Sequence, residues 1–332
     1  MAPADGRPYD RASLVGFRGH GSHGTDTMGI AQSVGRGGAN RRSDVKFLQI
    51  VLNMNLGRLN ASPPGFGTAA AVAVAGAAMA DAGSSPGAGG VAAPAAAPVV
   101  ASMYPPLTED GVCGPGTIGR IEAFQRTVGG AATPSGRLDP GTALLGALQA
   151  GVPAGLAPDV LRAMLPNARP AHVDRYRQAL VDAMAAYDIA TPLRQAHFLA
   201  QLGHESGDFV YSEEIATGAA YEGRADLGNT QPGDGVRFKG RGLIQITGRA
   251  NYAAYGTYRG RDYLTGEGPS HLATDAATAV DCSCWYWKSR NINVRADHDD
   301  VLAVTRAING GTNGLADRRE RLGRAKYLLR VA

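Results

Sequence analysis

Three cysteines in 332 residues, Cys113, Cys282 and Cys284, are too few to staple a fold. An odd count with an i, i+2 pair is no disulfide framework, and without a CxxC pair no thiolate zinc site is expected. They read as small apolar residues of a reduced product. Long apolar runs are missing as well. The most apolar window, residues 68–81, is too short and too rich in alanine to span a bilayer, so no membrane insertion is expected. The opening stretch MAPADGRPYDRASLVGFRGHG carries early acids and no apolar h-region, which excludes a secretory signal. Together these absences predict a chain made in the cytoplasm that something other than its own signal must deliver elsewhere. Nor is there a block of one charge. Lys and Arg number 22 against 20 Asp and Glu from residue 151 onward, and 11 against 9 before it. That scatter lacks the concentrated basic footprint of a nucleic-acid binder, and the net charge of +4 suits an anionic polymer only mildly.

What is present divides the chain into three. Apolar residues make up 44% and charged residues 19%, a globular balance, yet 46 glycines and much alanine imply that part of the chain does not pack. Residues 1–42 are rich in Gly, Ser and His, and SVGRGGANRRSD reads as a flexible lead-in. His20 and His23 sit in this loose segment, where a metal site is not expected. A helix follows, with Ser43 or Asp44 as its cap and Val45, Leu48, Val51 and Leu52 at helical spacing. From about residue 61 to 106 the composition turns to Ala, Gly and Pro, with too little bulky apolar surface to offset its ordering entropy. Structure resumes at LTEDGVCGPGTIGRIEAFQRTVGG. There DGVCGPGT is a turn and Thr117 caps a helix carrying Ile118, Ile121, Phe124 and Gln125. GRLDPGTALLGAL repeats the device with Asp139 as cap and Pro140 at the first helical position, turning Leu144, Leu145 and Leu148 inward.

Three short helices with a DGxxGPxT turn before the second resemble the small three-helix peptidoglycan-binding domain. The resemblance covers residues 43–150 once the Ala/Gly/Pro tract is taken as an insertion, and it implies a wall-binding unit ahead of the rest, residues 151–332.

From Ala157 the pattern is helical. TPLRQAHFLAQLGHES has Thr191 as cap and Pro192 at the first helical position. Phe198, Leu202, Glu205 and Phe209 are spaced by 4, 3 and 4, which puts Glu205 on an apolar stripe. A carboxyl shielded from water has its charged form disfavoured, the condition a general acid needs near neutrality. A zinc reading of His204-Glu205 fails, because the second histidine would stand at position 208, which is Asp208. A half-buried helix-end carboxylate paired with an arginine is the alternative. Downstream, LIQIT alternates, so Gln245 and Thr247 are expected on one face of a short strand and Ile244 and Ile246 on the other. Gly240 and Gly242 flank Arg241 and allow close approach of backbone and ligand. A polar strand face beside a helix-borne glutamate is the geometry of a sugar cleft.

The segments AHFLAQLGHESG, YEGRADLGN, FKGRGLIQITGRANY and AINGGTNG resemble glycoside hydrolase family 19, more its wall-lysing bacterial and bacteriophage members than the plant chitinases. The resemblance covers about residues 155–330. It implies a mainly α, lysozyme-like α+β catalytic domain with a small antiparallel sheet, hydrolysing β-1,4 links between N-acetylated amino sugars with inversion and without metal or other cofactor. By position it assigns Glu205 as general acid, Glu222 as general base and Thr247 as the hydroxyl that holds the water. Glu214 stands as the alternative second carboxylate, with Glu213 an exposed bystander. His204, Gln245, Asn251, Asn309 and Arg321 fall at substrate-binding or supporting positions.

Other candidates have plainer readings. Trp285 and Trp287 are expected in the core rather than stacked on sugars. Asp299 or Asp300 caps the next helix. In DRRERLGRAKYLLR most arginines are expected on a solvated face, Arg321 excepted. The whole predicts a peptidoglycan hydrolase acting on the glycan strand. It would be a phage lysin released through a holin-made hole, or an antibacterial effector delivered by a secretion system such as type VI. In the second setting a spike component would carry it and an immunity protein would plug its cleft. A chitinase and a non-catalytic wall-binding protein are the rival readings.

Overall fold

A computed structural model describes residues 28–61 and 103–331. His20, His23, most of the Gly-rich lead-in and nearly all of the Ala/Gly/Pro tract lie outside the described residues.

The N-terminal unit begins with strand β1 (Val34–Gly35), followed by helices α1 (Arg42–Met54), α2 (Leu56–Ala61) and α3 (Pro115–Thr127). Strand β2 (Arg137–Leu138) and helix α4 (Ala143–Gln149) complete it. The stripe expected of α1 is its buried face, with Val45, Leu48, Val51 and Leu52 all sealed from solvent. β1 and β2 pair antiparallel, Val34 opposite Leu138 and Gly35 opposite Arg137. SVGRGGAN is therefore built structure rather than a loose lead-in. Asn40 fixes it by accepting from Gly35 N at 2.8 Å and donating to the carbonyls of Gly35 and Gly38 at 3.0 Å. The expected caps shift as well. α1 starts ahead of Ser43 and Asp44, Thr117 lies inside α3, and α4 starts after the Asp139-Pro140 turn.

The rest of the chain is helical: α5 (Pro158–Met164), α6 (Pro170–Ala186), α7 (Pro192–Glu205), α8 (Asp234–Arg237), α9 (Arg249–Arg259), α10 (Gly268–Thr274), α11 (Ala276–Ser289), α12 (Ile292–Asp297), α13 (Val301–Asn309) and α14 (Leu315–Leu328). α7 starts as expected, Thr191 Oγ1 accepting from Arg194 N at 3.2 Å, and Asp300 caps α13 through Ala303 N at 2.9 Å. Both tryptophans belong to the core. Trp287 is fully buried, edge-on to Phe198 with ring centroids 5.2 Å apart, and Trp285 tilts against Tyr255. All three cysteines are free. The fold is thus mainly α with a small antiparallel sheet, but that sheet lies in the N-terminal unit. LIQIT is no strand, because Gln245 adopts a left-handed φ of 58° and breaks the alternation. No helix among the described residues is long and apolar enough to cross a membrane.

α14 corrects the expectation of a solvated basic face. Arg318, Arg321, Arg324 and Lys326 are all buried, and a buried cation must be paired. Their partners come from three separate segments: Glu205 and Asp208 at the end of α7, Asp44 and Asp299. α14 packs along α7 on one side and against the N-terminal unit on the other. Phe47 of α1 meets Tyr327 edge-on at 5.6 Å, Tyr327 OH donates to Leu145 O at 2.7 Å, and Gln149 Nε2 donates to Tyr327 O at 2.6 Å. Asp44, fully buried, accepts from the backbone of Ala31 and Gln32 and from Arg324. One apolar core therefore runs through both units.

Candidate active site

α7 ends in a forced turn. Ser206 Oγ donates to Leu202 O at 2.7 Å and accepts from Phe209 N at 2.8 Å. Gly207, Asp208 and Phe209 then take φ values of 58°, 64° and 66° in succession. Two non-glycine residues in that region cost roughly 1–3 kcal/mol each, so their side chains must be held elsewhere. Asp208, sealed from solvent, pairs with Arg321 and accepts from the Asn167 backbone N and side-chain Nδ2 at 3.0 and 2.8 Å. Phe209 is buried edge-on to Tyr176 at 5.7 Å. The turn throws residues 211–214 back across the mouth of a cleft of about 500 Å3, whose floor carries His204 and Glu205.

Glu205 does not stand in an apolar pocket. The stripe of Phe198, Leu202 and Phe209 is buried as expected, but one oxygen of Glu205 accepts from Arg318 Nη2 at 2.6 Å, and the side chain is 5% exposed. Arg318 also donates to Gln201 and to Asn313 O. Beside it, His204 Nδ1 lies 2.7 Å from Asp317 Oδ2, which also accepts from Arg321 Nε at 2.6 Å. Burial works to raise the Asp317 carboxyl, but Arg321 and His204 overcome it and hold the group far below the usual carboxylate range. Burial likewise opposes the Arg321 charge, which Asp208 and Asp317 more than restore. Gly314 closes this wall with a φ of 70°, so near the imidazole that an added Cβ would fall 2.1 Å from the His204 ring. Only a residue without a side chain fits there.

Glu214 also lines the cleft, buried at 7% exposure. Its Oε1 accepts from Tyr221 OH at 2.8 Å and its Oε2 from Gly240 N at 3.0 Å, while its own N donates to Gly240 O at 2.8 Å. Gly240 leads into a tight turn in which Arg241 and Ile246 exchange backbone hydrogen bonds at 3.0 and 2.7 Å. That turn reaches by another route what a strand was expected to do. Gln245 and Thr247 line the cleft while Ile244 and Ile246 enter the core. A Cβ on Gly240 would lie 2.9 Å from Gln245 Oε1, 3.3 Å from Glu214 Oε2 and 3.4 Å from Thr247 Oγ1, so three polar groups converge on the space glycine leaves. Glu213 turns outward to Arg241 at 2.9 Å and Lys239 at 3.4 Å.

Glu222 is not in the cleft. It is exposed, and its carboxylate accepts from the backbone N of Gly233 and Gly235 at 2.6 and 2.8 Å, clamping the loop that carries α8. Asn251 also stands behind the wall, donating to Thr247 O at 2.7 Å. Asn309 lines the cleft and braces its far edge, donating to Asn313 O at 3.0 Å and accepting from Gly311 N at 2.8 Å. Of the expected residues, the structure thus brings Glu205, Glu214, Thr247, His204, Gln245, Asn309 and Arg321 together, and leaves Glu222 and Asn251 outside. Sequence reasoning missed Arg318, Asp317 and Tyr221, while Gly240 was marked only as a point of close backbone approach. The recurrence of Arg at 318, 321 and 324 was an available signal, since a solvated face has no need of helical period. Among the described residues no cluster of three or more His, Cys, Asp or Glu is placed to hold a metal ion.

The family model for glycoside hydrolase family 19, chitinase class I, matches residues 185–315. A glycosyl hydrolase family 19 domain-containing protein of Haemophilus influenzae is 36% identical over 157 residues, spanning 38% of this chain and 75% of that protein. An Arabidopsis thaliana endochitinase is 38% identical over 158 residues, spanning 46% of this chain but only 53% of the plant protein. Among solved structures, chitinase C from Streptomyces griseus superposes with a TM-score of 0.44 at 25% identity, over 52% of this chain and 76% of that one.

Proposed function

Since the chain belongs to glycoside hydrolase family 19 and is therefore a chitinase-like glycoside hydrolase, we propose that it cuts the β-1,4 glycan strand of peptidoglycan with inversion. The observation that carries the mechanism is the pair of carboxylates lining one cleft and held by separate partners, Glu205 by Arg318 and Glu214 by Tyr221 and Gly240. Glu205 gives its proton to the glycosidic oxygen as the bond from the anomeric carbon breaks. Glu214 takes a proton from a water whose oxygen attacks that carbon from the other face. Thr247 Oγ1 and Gln245 Oε1 converge beside Glu214 at Gly240, which suits them to hold that water. Solvent exchange then returns the proton from Glu214 to Glu205. Arg318 and the His204–Asp317–Arg321 chain keep the acid's wall in register, a preorganisation that costs nothing at the moment of reaction.

The wall polymer is favoured over chitin by the three-helix unit locked to α14, which resembles a peptidoglycan-binding domain and would hold the cleft against its substrate. Chitin is the second reading, favoured by the likeness to a plant endochitinase. Digestion of purified peptidoglycan and of chitin decides between them. Mass spectrometry of released muropeptides is expected to show a new reducing sugar end. Release from chitin alone would overturn the choice of polymer, and unaltered lysis by Glu205→Gln would overturn the enzyme mechanism.

A further inference from the structure

A second hollow of about 510 Å3 lies between α6, α9 and α11, and it shares no lining residue with the catalytic cleft. α6 lines it with the small side chains of Ala179, Ala183 and Ala186 and with Asp182, while α9 and the loop after it contribute tyrosines. Its floor is Asp281 of α11, whose side chain is 16% exposed. Asp281 Oδ1 accepts from Tyr187 OH at 3.0 Å, Oδ2 accepts from Tyr255 OH at 2.7 Å, and Arg259 Nε stands 3.2 Å away. At the rim Tyr258 is 49% exposed, its ring tilted against Tyr187 with centroids 6.1 Å apart, and Arg261 is exposed beside it.

We propose that this hollow is a second saccharide site, which holds one or two N-acetylated sugar units of the polymer without cutting them. The proposal rests on the glycan-cleaving reading above. A sugar ring offers an apolar C–H face and a rim of hydroxyls. An exposed aromatic ring above a fixed carboxylate and a guanidinium meets both. A carboxylate accepts about four hydrogen bonds; two phenols and the ion pair with Arg259 hold Asp281, so its orientation is set and acceptor capacity remains for a ligand hydroxyl. Cations fit worse, because Arg259 and Arg261 stand at the same hollow and balance the two carboxylates there, Asp182 and Asp281. Hydrolysis is not expected here, since Asp281 is committed to two phenols and an arginine. A second foothold on a long strand raises the local concentration of the bonds the cleft must reach.

The test uses the full chain carrying Glu205→Gln, titrated with the tetramer of N-acetylglucosamine by calorimetry. Two sites are expected, one of them lost in Tyr258→Ala and retained in Tyr258→Phe. Trp285, whose ring lies 5.4 Å from Tyr255, gives a fluorescence signal at the second site, expected to be lost in Tyr258→Ala. In the active chain, Tyr258→Ala is expected to leave cleavage of the soluble tetramer unchanged and to slow release from insoluble polymer about tenfold, below the ceiling that avidity sets. An active enzyme with one binding site, indifferent to Tyr258, overturns the inference alone. An inert chain that still binds at two sites overturns the catalytic reading alone.

Discussion

Arg318 Nη2 reaches Glu205 Oε1 at 2.6 Å across 113 residues of sequence, and the two side chains are 2% and 5% exposed. Removing Arg318 takes a hydrogen bond at once from Glu205, Gln201 and the Asn313 carbonyl, at about 1–3 kcal/mol for each buried group left unsatisfied. Arg318→Ala is therefore expected to lower the unfolding midpoint sharply. Arg318→Lys, which keeps the charge but lacks the planar fork that also reaches Gln201 and Asn313, is expected to stay folded with a reduced kcat. A denaturation curve and a kcat measurement on each variant check this.

Glu214 and Glu222 should separate cleanly. Glu214→Gln removes the carboxylate in the cleft and is expected to cut the rate by about two to four orders of magnitude, the usual worth of a positioned acid or base. Glu222→Gln replaces one of two acceptors holding Gly233 and Gly235. It should leave kcat within severalfold and lower stability by about 1–3 kcal/mol. Steady-state rates beside urea unfolding give both readings. Full activity in Glu214→Gln would return the base to Glu222.

Gly240→Ala tests the convergence of polar groups. The added methyl would meet Gln245 Oε1 at 2.9 Å and crowd Glu214 and Thr247. Activity should fall by tenfold or more while the unfolding midpoint moves little, because Gly240 has no left-handed φ to strain. Gly314→Ala differs, since its left-handed φ and the His204 ring both forbid a side chain. That variant should lose stability and activity together.

Acid should unfold the protein partly through Asp317. Its folded pKa lies below the ordinary 3.8, so its contribution to stability is complete above that value and is lost as pH falls toward the folded pKa. Asp234 acts in the same direction, held low by the hydrogen bonds of Arg249. Urea midpoints between pH 6 and pH 2.5 should fall steeply below about 4. Asp317→Asn should be less stable at pH 6 and show a flatter slope.

Asp44 tests how firmly the N-terminal unit belongs to the catalytic one. It holds Ala31, Gln32 and Arg324 from a fully buried position. Asp44→Ala leaves Arg324 only its longer contact with Glu320, at 3.9 Å, and should destabilise by about 3–5 kcal/mol. Calorimetry should show one transition for both units, in keeping with their common core.

The amino-acid sequence alone settled the periodic features. The stripe Phe198, Leu202, Glu205 follows from a spacing of 4 and 3 within α7, while Phe209 is buried through the turn beyond it, and the caps of α7 and α13 follow from side chains whose partners are three residues away. The family was legible in short contiguous motifs for the same reason, and Glu205, Thr247 and Gln245 came with it. Tertiary structure alone decided the rest, because those choices depend on partners far along the chain. Glu214 rather than Glu222 faces the cleft only because three left-handed residues after α7 fold the chain back against Gly240, a turn that no local propensity predicts. The arginines of α14 read as a solvated face because the carboxylates that neutralise them, Glu205, Asp208 and Asp44, lie 113 to 280 residues away. Burial of a charge is a property of the pair, and the pair exists only in the fold.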